Sequence, residues 1–269
     1  MRLFIALILG CTLGASVAVA AQKPSYSAAT PLLINPTPPV VDARVVQDPW
    51  ESVNRGIFSF NLGLDEYVLE PTAKGYRYIT TPPIRHSVRG VLTNLSEPQV
   101  FVNAMLQGEI KAAGDALTRF AINTTFGVLG LFDVAGDEGV AWRAEDFGQT
   151  LAVWGAGEGS YVMLPFLGPS NIRDTGGRVV DWVMDPVRLV ANRFDKKSMY
   201  DVVAYGQYPV DAVATREERF EVINDLRRDS LDYYASIRSL YHQNRLYLIE
   251  NRKPGDAATR SDDAAFEGF

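Results

Sequence analysis

The sequence predicts an all-α fold, with one short extended or hairpin segment near residues 155–168. Apolar residues recur at three- to four-residue spacing in several stretches, and this spacing is typical of one helical face. Helix start signals such as Asp48-Pro49-Trp50-Glu51 precede some of these stretches. Between 155 and 168 the chain is instead rich in glycine, which allows positive φ and tight turns.

Both ends of the chain differ from its centre in composition. Residues 1–20 form an apolar signal segment, and Ala18-Val19-Ala20 has the small-x-small form that a signal peptidase accepts, so cleavage after Ala20 is expected. A proline-rich linker is predicted at 21–47, a single helical domain at 48–252, and a disordered tail at 253–269.

Cys11 is the sole cysteine, and it lies inside the signal segment. It follows Ile8-Leu9-Gly10, which loosely matches a lipobox, so Cys11 is a candidate lipidation site and an alternative to cleavage after Ala20. The chain remaining after cleavage would contain no cysteine and could form no internal disulfide. The mass of the mature N terminus distinguishes the two alternatives.

The first predicted helix begins at Asp48, which is expected to cap it. Its apolar residues share one helical face, and Pro71 is expected to end or kink it. The residues of this face are Trp50, Val53, Ile57, Phe60, Leu64 and Tyr67.

Three further helices are predicted between residues 83 and 123. One spans Pro83–Thr93, the next starts near Pro98 and ends at Gly108, and the third spans Ile110–Asn123. In the third of these helices, the side chains expected to face inward are Ala113, Leu117, Phe120 and Ala121.

Two helical regions are predicted in the C-terminal part. Ser170 is expected to cap a region that runs to about Phe194 and is interrupted or kinked at Pro186. The TREE sequence at 215–218 matches a capping box, and helical spacing then continues to Asn244. This last helix is predicted to be the longest.

Composition and motifs exclude several classes of function. The formal charge is −6, and without Arg2 it falls to about −7, which disfavours nucleic acid as a partner. The two histidines, His86 and His242, have no metal-ligand spacing. No nucleophile elbow, phosphate-binding loop or cofactor motif is present, so we expect a non-enzymatic protein without metal or cofactor.

Several distinctive sequence blocks follow one another over about residues 48–247, nearly the whole predicted domain. The blocks are DPWESVNR at 48–55, FSFN at 58–61, DEYVLEP at 65–71, NLSEP at 94–98, NAMLQG at 103–108, RFAINTTFG at 119–127, GLFDVA at 130–135, EDFGQTL at 145–151, WG at 154–155, LPFLGPS at 164–170 and RD at 173–174. In this order they resemble the MlaA (VacJ) family of outer-membrane phospholipid-removing proteins, and LPFLGPS is the most characteristic block.

The resemblance implies a ring-like helical domain with a central amphipathic channel, embedded in the inner leaflet of the outer membrane, on its periplasmic face. Family members carry phospholipid from the outer leaflet and thereby maintain lipid asymmetry. Their partners are a trimeric porin and a periplasmic carrier that feeds an inner-membrane ABC transporter. They are typically lipoproteins, and the weak lipobox at Cys11 departs from that pattern.

Polar and aromatic residues of these blocks are the candidates for lining the channel or contacting lipid. For each polar candidate the alternative is a buried hydrogen bond or a helix cap, and for each aromatic one an ordinary core position. The polar candidates are Asn54, Arg55, Asn61, Asn123, Gln149, Arg173 and Asp174, and the aromatic ones are Phe58, Phe60, Phe126 and Phe166.

Two other functions remain open at this point. A porin-binding structural adaptor would need no lipid path. A strain that lacks the protein would then keep a normal amount of phospholipid in the outer leaflet. A lipid hydrolase would need a nucleophile–base pair, which the sequence does not show. Incubating pure protein with phospholipid and analysing the products tests that alternative.

Overall fold

The computed structural model describes residues 46–185 and 197–250, and most of these residues are helical. A π-helical segment, Asp65–Leu69, joins the first two α-helices, and the strands β1 (Tyr161–Leu164) and β2 (Gly168–Asn171) form an antiparallel hairpin. The helices are α1 (Glu51–Leu64), α2 (Glu70–Ile79), α3 (Pro82–Gln107), α4 (Ile110–Thr125), α5 (Val134–Asp137), α6 (Phe147–Val153), α7 (Ile172–Val183), α8 (Lys197–Glu218), α9 (Phe220–Asp229) and α10 (Tyr233–Ile249).

The all-α class with a short hairpin is therefore confirmed. Several predictions fall outside the described residues: the signal segment with Ala20, the lipidation site Cys11, the kink at Pro186 and the tail at 253–269. Within the described parts of the chain, no helix is both long enough and apolar enough to cross a bilayer.

The start of α1 differs from the prediction, because Trp50 occupies the N-cap position and makes no side-chain cap. The Asp48 carboxylate is instead buried, with 2% of the side chain exposed. It accepts hydrogen bonds from Asn54 Nδ2 at 2.7 Å, the Tyr234 hydroxyl and Arg238 Nη1 at 2.8 Å. The predicted cap is wrong because these tertiary donors, rather than the local backbone, bind the carboxylate.

The two prolines predicted to mark helix boundaries behave differently. Pro71 lies in the first turn of α2, directly after the π-helical segment. Pro98 lies inside α3, so the two separate helices predicted there are one continuous helix. Its missing N–H costs one helical hydrogen bond, but α3 contacts α4 before the proline through Asn94 and Thr124 and after it through Ala104. Gly108 ends α3 with φ 78°, as predicted.

The bounds of α4 agree with the prediction, but the face expected to point inward is only partly buried. Ala113 is buried as predicted, whereas Leu117 is 53% exposed and Ala121 is exposed as well. The buried residues are Ala112, Ala113, Ala116, Arg119 and Asn123. Small side chains let α4 approach α3, where Ala104 meets Ala112 and Ala113, and the larger apolar residues are left outside.

The hairpin packs on α1 and α10. Tyr161 pairs with Asn171 and Leu164 with Gly168, whose φ of 78° allows the turn. Tyr161, Met163 and Tyr234 form a buried core cluster beneath it. The predicted cap of the following helix is wrong by one residue, since the Asn171 side chain, not Ser170, accepts from the Asp174 N–H.

The capping box predicted at 215–218 is also wrong, since these residues end α8 instead of starting a helix. Arg216 and Glu217 are used in tertiary ion pairs with Asp65 and Arg77. The single long helix predicted after them is split into α9 and α10. Asp232 caps α10 by accepting from the Ala235 N–H at 3.1 Å.

Candidate functional site

The interior of the described protein is unusually polar. Among residues 46–185 and 197–250, buried polar and charged side chains outnumber buried hydrophobic ones, and most of the latter are alanines. Buried charges are rare in proteins unless they are paired. The buried polar side chains are Asn54, Asn94, Glu97, Asn103, Arg119, Asn123, Glu145, Gln149, Thr150, Ser170, Asn171, Asp174, Arg216, Glu217 and Arg245.

The exterior is correspondingly apolar, because large aromatic and aliphatic side chains point outward from most elements. Tyr78 is 91% exposed, Phe126 76% and Phe166 70%. Exposed apolar surface on this scale marks a face that contacts a partner, a ligand or a membrane. Further exposed residues include Trp50, Val53, Phe60, Tyr67, Ile79, Ile110, Leu117, Leu129, Phe132, Trp154, Leu167, Val179 and Trp182.

One interior polar cluster joins α3, α4 and the loop that follows α4. Arg119 donates to Glu97 Oε1 at 2.7 Å, to the Val140 carbonyl at 2.6 Å and to Asp133 at 2.9 Å. Asn123 donates to the same Asp133 at 2.8 Å. Burial raises the pKa of the Glu97 carboxyl to about 7, although Arg119 opposes the shift.

A second cluster joins α6, α7 and α10. Arg245 makes a bidentate pair with Asp146, both contacts at 2.6 Å, and lies 2.7 Å from Asp174. Tyr241 and Asn171 also donate to Asp174. Burial alone would lower the pKa of Arg245, but the two carboxylates raise it above its usual value. These helices are therefore tied together through charge rather than through an apolar core.

A third cluster lies between α3, α6 and α7. Thr150 donates to Asn103, which donates to Asp181 at 3.0 Å. Gln107 donates to Glu145 at 3.1 Å. Burial raises the pKa of Glu145 to about 7. Over the described residues, no group of three or more His, Cys, Asp or Glu side chains is placed to hold a metal ion.

Two of the predicted polar candidates fix the hairpin to α1. Asn54 donates to the Tyr161 carbonyl and accepts from the Met163 N–H. Asn61 donates to the Leu164 carbonyl at 2.9 Å and accepts from the Phe166 N–H.

The other polar candidates are also hydrogen-bonded. Arg55 is partly exposed and pairs with Glu51 and Asp232. The remaining four, Asn123, Gln149, Arg173 and Asp174, have buried side chains. All seven polar candidates therefore make hydrogen bonds within the protein, which is the alternative to lipid contact that the sequence left open. Lipid contact by any of them stays a prediction.

Arg173 differs from the other buried candidates. Its Nε lies 2.9 Å from Asp174 Oδ1, and 7% of its side chain is exposed. Its Nη2 is buried and has no hydrogen-bond partner within the part of the chain that the structure describes. A buried donor without an acceptor is costly, so this nitrogen is a candidate contact for an anionic group.

The aromatic candidates divide into buried and exposed ones. Phe58 packs edge-on against Tyr233 and Tyr234 in the core under the hairpin. Phe60 and Phe166 form an exposed edge-to-face pair, with ring centroids 5.3 Å apart. Phe126 lies on the separate loop after α4. The structure thus brings Phe60, Asn61 and Phe166 together at the hairpin turn and leaves Phe126 elsewhere.

Sequence reasoning missed the buried charged residues Glu97, Arg119, Glu145 and Arg245. A signal was present for two of them. Arg245 lies four residues after Tyr241, and so continues the face of the last helix. Arg119 continues the face of Ala112 and Ala116 in α4. Charged residues in register with a buried face indicate interior ion pairs.

Comparison with known proteins identifies the family. The family model described as MlaA lipoprotein matches residues 46–248. The chain belongs to the MlaA lipoprotein family. The resemblance recognised from the sequence blocks is therefore confirmed.

Relatives and one solved structure support the MlaA assignment. An intermembrane phospholipid transport system lipoprotein MlaA of Haemophilus influenzae is 34% identical over 218 residues, 77% of this chain and 80% of that protein. The Escherichia coli protein of the same name is 32% identical, over 80% of this chain and 83% of its own. A solved structure, from work on the structural basis for maintenance of bacterial outer membrane lipid asymmetry, superposes with a TM-score of 0.66 at 33% identity. It covers 76% of this chain and 99% of the other.

Proposed function

We propose that this protein moves phospholipid, without chemical change, from the outer leaflet of the outer membrane to a periplasmic carrier. The observation that carries the proposal is the polar interior inside an apolar exterior. The Haemophilus influenzae and Escherichia coli relatives, named as intermembrane phospholipid transport lipoproteins, support the same role.

The physical requirement for such transport is a polar path for the lipid head group. Moving a polar head group through hydrocarbon without hydrogen-bond partners costs several kcal/mol, roughly 2–7 for one uncompensated polar group. A central amphipathic channel would remove that cost, with polar candidates such as Asn61 and Arg173 towards the head group and aromatic ones such as Phe60 towards the chains.

The exposed aromatic and aliphatic residues support placement in the inner leaflet, on the periplasmic face of the outer membrane. Hydrocarbon around Phe126 and Phe166 would replace the water that these side chains otherwise meet. Partners consistent with this placement are a trimeric porin and a periplasmic lipid carrier that feeds an inner-membrane ABC transporter.

Transport is tested by labelling phosphatidylethanolamine on intact cells of a deletion strain with an amine-reactive reagent that does not cross the membrane. We expect more surface label without the protein and normal label after complementation. Normal surface label in the deletion strain, with porin binding retained, would instead support a structural adaptor. Release of free fatty acid from phospholipid by the pure protein would support a hydrolase.

A variant of Arg173 tests the polar path itself. Arg173→Met removes the buried Nη2 that lacks a partner, and we expect surface label close to that of the deletion strain. Arg228→Met is the matched control, because Arg228 pairs on the surface with Asp225 and Asp229. Thermal unfolding of both proteins checks that each is folded. A folded Arg173→Met protein with normal transport would contradict the role of Arg173.

The form of the membrane anchor is a separate question within this proposal. The relatives named as lipoproteins favour acylation at Cys11, whereas Ala18-Val19-Ala20 favours cleavage after Ala20. Mass spectrometry of the mature N terminus shows either an acylated cysteine or an N terminus at Ala21.

A further inference from the structure

A groove between α3 and α4 is lined by none of the residues assigned to lipid transport above. Its volume is about 240 Å³. With one exception its lining side chains are apolar, and Leu117 at its edge is 53% exposed. The lining residues are Glu97, Pro98, Phe101, Val102, Leu117 and Phe120.

Glu97 is the one ionisable residue in this lining. Only 1% of it is exposed, and its Oε1 accepts from Arg119 Nε at 2.7 Å. Its Oε2 is buried and has no hydrogen-bond partner among residues 46–185 and 197–250. A buried polar atom with a free hydrogen-bonding position, next to an apolar groove, indicates a ligand that is apolar along most of its length and polar at one point.

The protonation of Glu97 determines what its free oxygen can bind. Burial, with a smaller contribution from nearby Asp133, raises the pKa of the carboxyl to about 7, although Arg119 opposes the shift. The acid form is therefore well populated at neutral pH and carries an O–H donor. The complementary group on a ligand is a neutral acceptor, such as a carbonyl oxygen.

We propose that this groove binds one acyl chain of a glycerophospholipid, with the ester carbonyl oxygen accepting a hydrogen bond from the Glu97 carboxyl. The inference rests on the proposed contact of this protein with phospholipid, but not on transport. It adds a lipid site between α3 and α4, formed by residues other than the candidates for the channel.

The size of the groove fits this occupant better than a protein. The groove is far larger than the space that one water molecule needs, and its largely apolar walls suit a stretch of acyl chain. A stable protein interface needs roughly 20–30 residues on each side, far more than line this groove. Met105, Leu106 and Ile110 are further exposed apolar residues of the same two helices.

The test is photo-crosslinking of the purified full-length protein in vesicles of phosphatidylethanolamine and phosphatidylglycerol. A trace of phosphatidylethanolamine carries a diazirine on one acyl chain, and labelled peptides are identified by mass spectrometry. We expect label on peptides that contain Phe101 or Leu117. Leu117→Trp fills the groove from its exposed edge and should reduce that label about tenfold.

Val179→Trp is the matched control, because Val179 is 59% exposed and lies on α7, away from the groove. It should leave the label at the groove unchanged. Label spread evenly over the exposed apolar residues, or label that Leu117→Trp does not reduce, overturns the proposal.

Two further arms test the chemistry of the site. A diazirine-bearing free fatty acid should label the groove less than the phospholipid does, and stronger labelling by the fatty acid overturns the assigned ligand. Wild-type labelling should fall between about pH 6 and pH 8 as Glu97 loses its proton, while Glu97→Gln, which keeps a donor, should not change with pH. A fall of the same size in Glu97→Gln overturns the role of Glu97.

Discussion

At the scale of single residues, Glu97 and Glu145 are buried carboxyls whose pKa values burial raises to about 7. A carboxyl with a raised pKa binds its proton more tightly in the folded than in the unfolded chain. Its contribution to stability is therefore fully present at low pH and is lost as pH rises through the folded pKa. The opposite holds for Glu70 and Asp232, whose pKa values are lowered to about 2 by their cationic partners.

The first prediction concerns Glu145, whose titration should lower the free energy of unfolding between about pH 4.5 and pH 7. Glu145→Gln removes the ionisation and leaves an acceptor for Gln107. We expect the variant to gain stability relative to the wild type at pH 8, by at most about 3 kcal/mol.

Urea unfolding in detergent at several pH values measures this difference. Glu66→Gln, which changes an exposed carboxyl of the π-helical segment, is the control and should follow the wild-type curve. A Glu145→Gln protein with the same pH dependence as the wild type would contradict the prediction.

A second prediction compares two asparagines of α1 that bind the hairpin. Asn54→Ala leaves the buried Met163 N–H and Tyr161 carbonyl without their partners, which should cost about 2–3 kcal/mol of unfolding free energy. Asn61→Ala frees the Phe166 N–H near the exposed turn, where water can replace the side chain, and should cost about 1 kcal/mol. Urea unfolding measures both losses of unfolding free energy. Equal losses in the two variants would contradict the difference in burial between the Asn54 and Asn61 hydrogen bonds.

At the scale of elements, close backbone approach determines how α3 meets the loop after α4. A Cβ atom on Gly90 would lie 2.3 Å from the Gly130 carbonyl oxygen, and one on Gly130 would lie 2.6 Å from Asn94 Cβ. Gly130 also has φ 91°, which few other residues adopt without strain. The loop, which carries the exposed Phe126, is thus fixed against α3 by two glycines.

The third prediction uses helical glycines as a matched pair. Gly90→Ala should lower the unfolding free energy by about 2 kcal/mol or more, because backbone must move to admit the methyl group. A methyl group added at Gly114 in α4 would meet no atom within 4 Å. Gly114→Ala should therefore stabilise the protein by about 0.5–1 kcal/mol, because alanine has the higher helix propensity. Thermal unfolding of both variants measures the contrast, and a stabilising Gly90→Ala would contradict the close contact.

At the scale of the whole molecule, the described protein places charge and hydrogen bonding inside and large apolar side chains outside. Alanine-rich helix faces allow close packing, while paired charges such as Arg119–Glu97 and Arg245–Asp146 join separate elements. This arrangement suits a surrounding of hydrocarbon, where exposed apolar residues cost nothing and buried polar groups must find partners within the protein.

The fourth prediction tests that surrounding. Phe126→Asp places a charge where we propose hydrocarbon, and should reduce binding of the purified protein to phospholipid vesicles about tenfold or more. Phe126→Leu keeps the position apolar and should bind almost as well as the wild type. Co-sedimentation with vesicles measures both variants. Equal binding by Phe126→Asp and the wild type would contradict membrane contact at this loop.

By itself, the sequence determined where most helices lie, the turn at Gly108, the hairpin after Gly155 and the MlaA family. These features depend on local spacing, on glycine and proline geometry, or on ordered motif blocks. Local signals failed where distant partners bound the deciding side chains. Asp48 binds Tyr234 and Arg238 rather than capping a helix, and Arg216 binds Asp65 at the end of α8.

Only the tertiary structure decided which face of each helix lies inside. The spacing of Leu117 and Ala121 in α4 shows that they share an apolar face, but periodicity is the same whether water or hydrocarbon surrounds the protein. The buried face instead carries alanines with Arg119 and Asn123, because these meet the polar groups of α3 and Asp133. The sequence therefore proposed candidate residues from its ordered motif blocks, while their positions and hydrogen-bond partners came only from the tertiary structure.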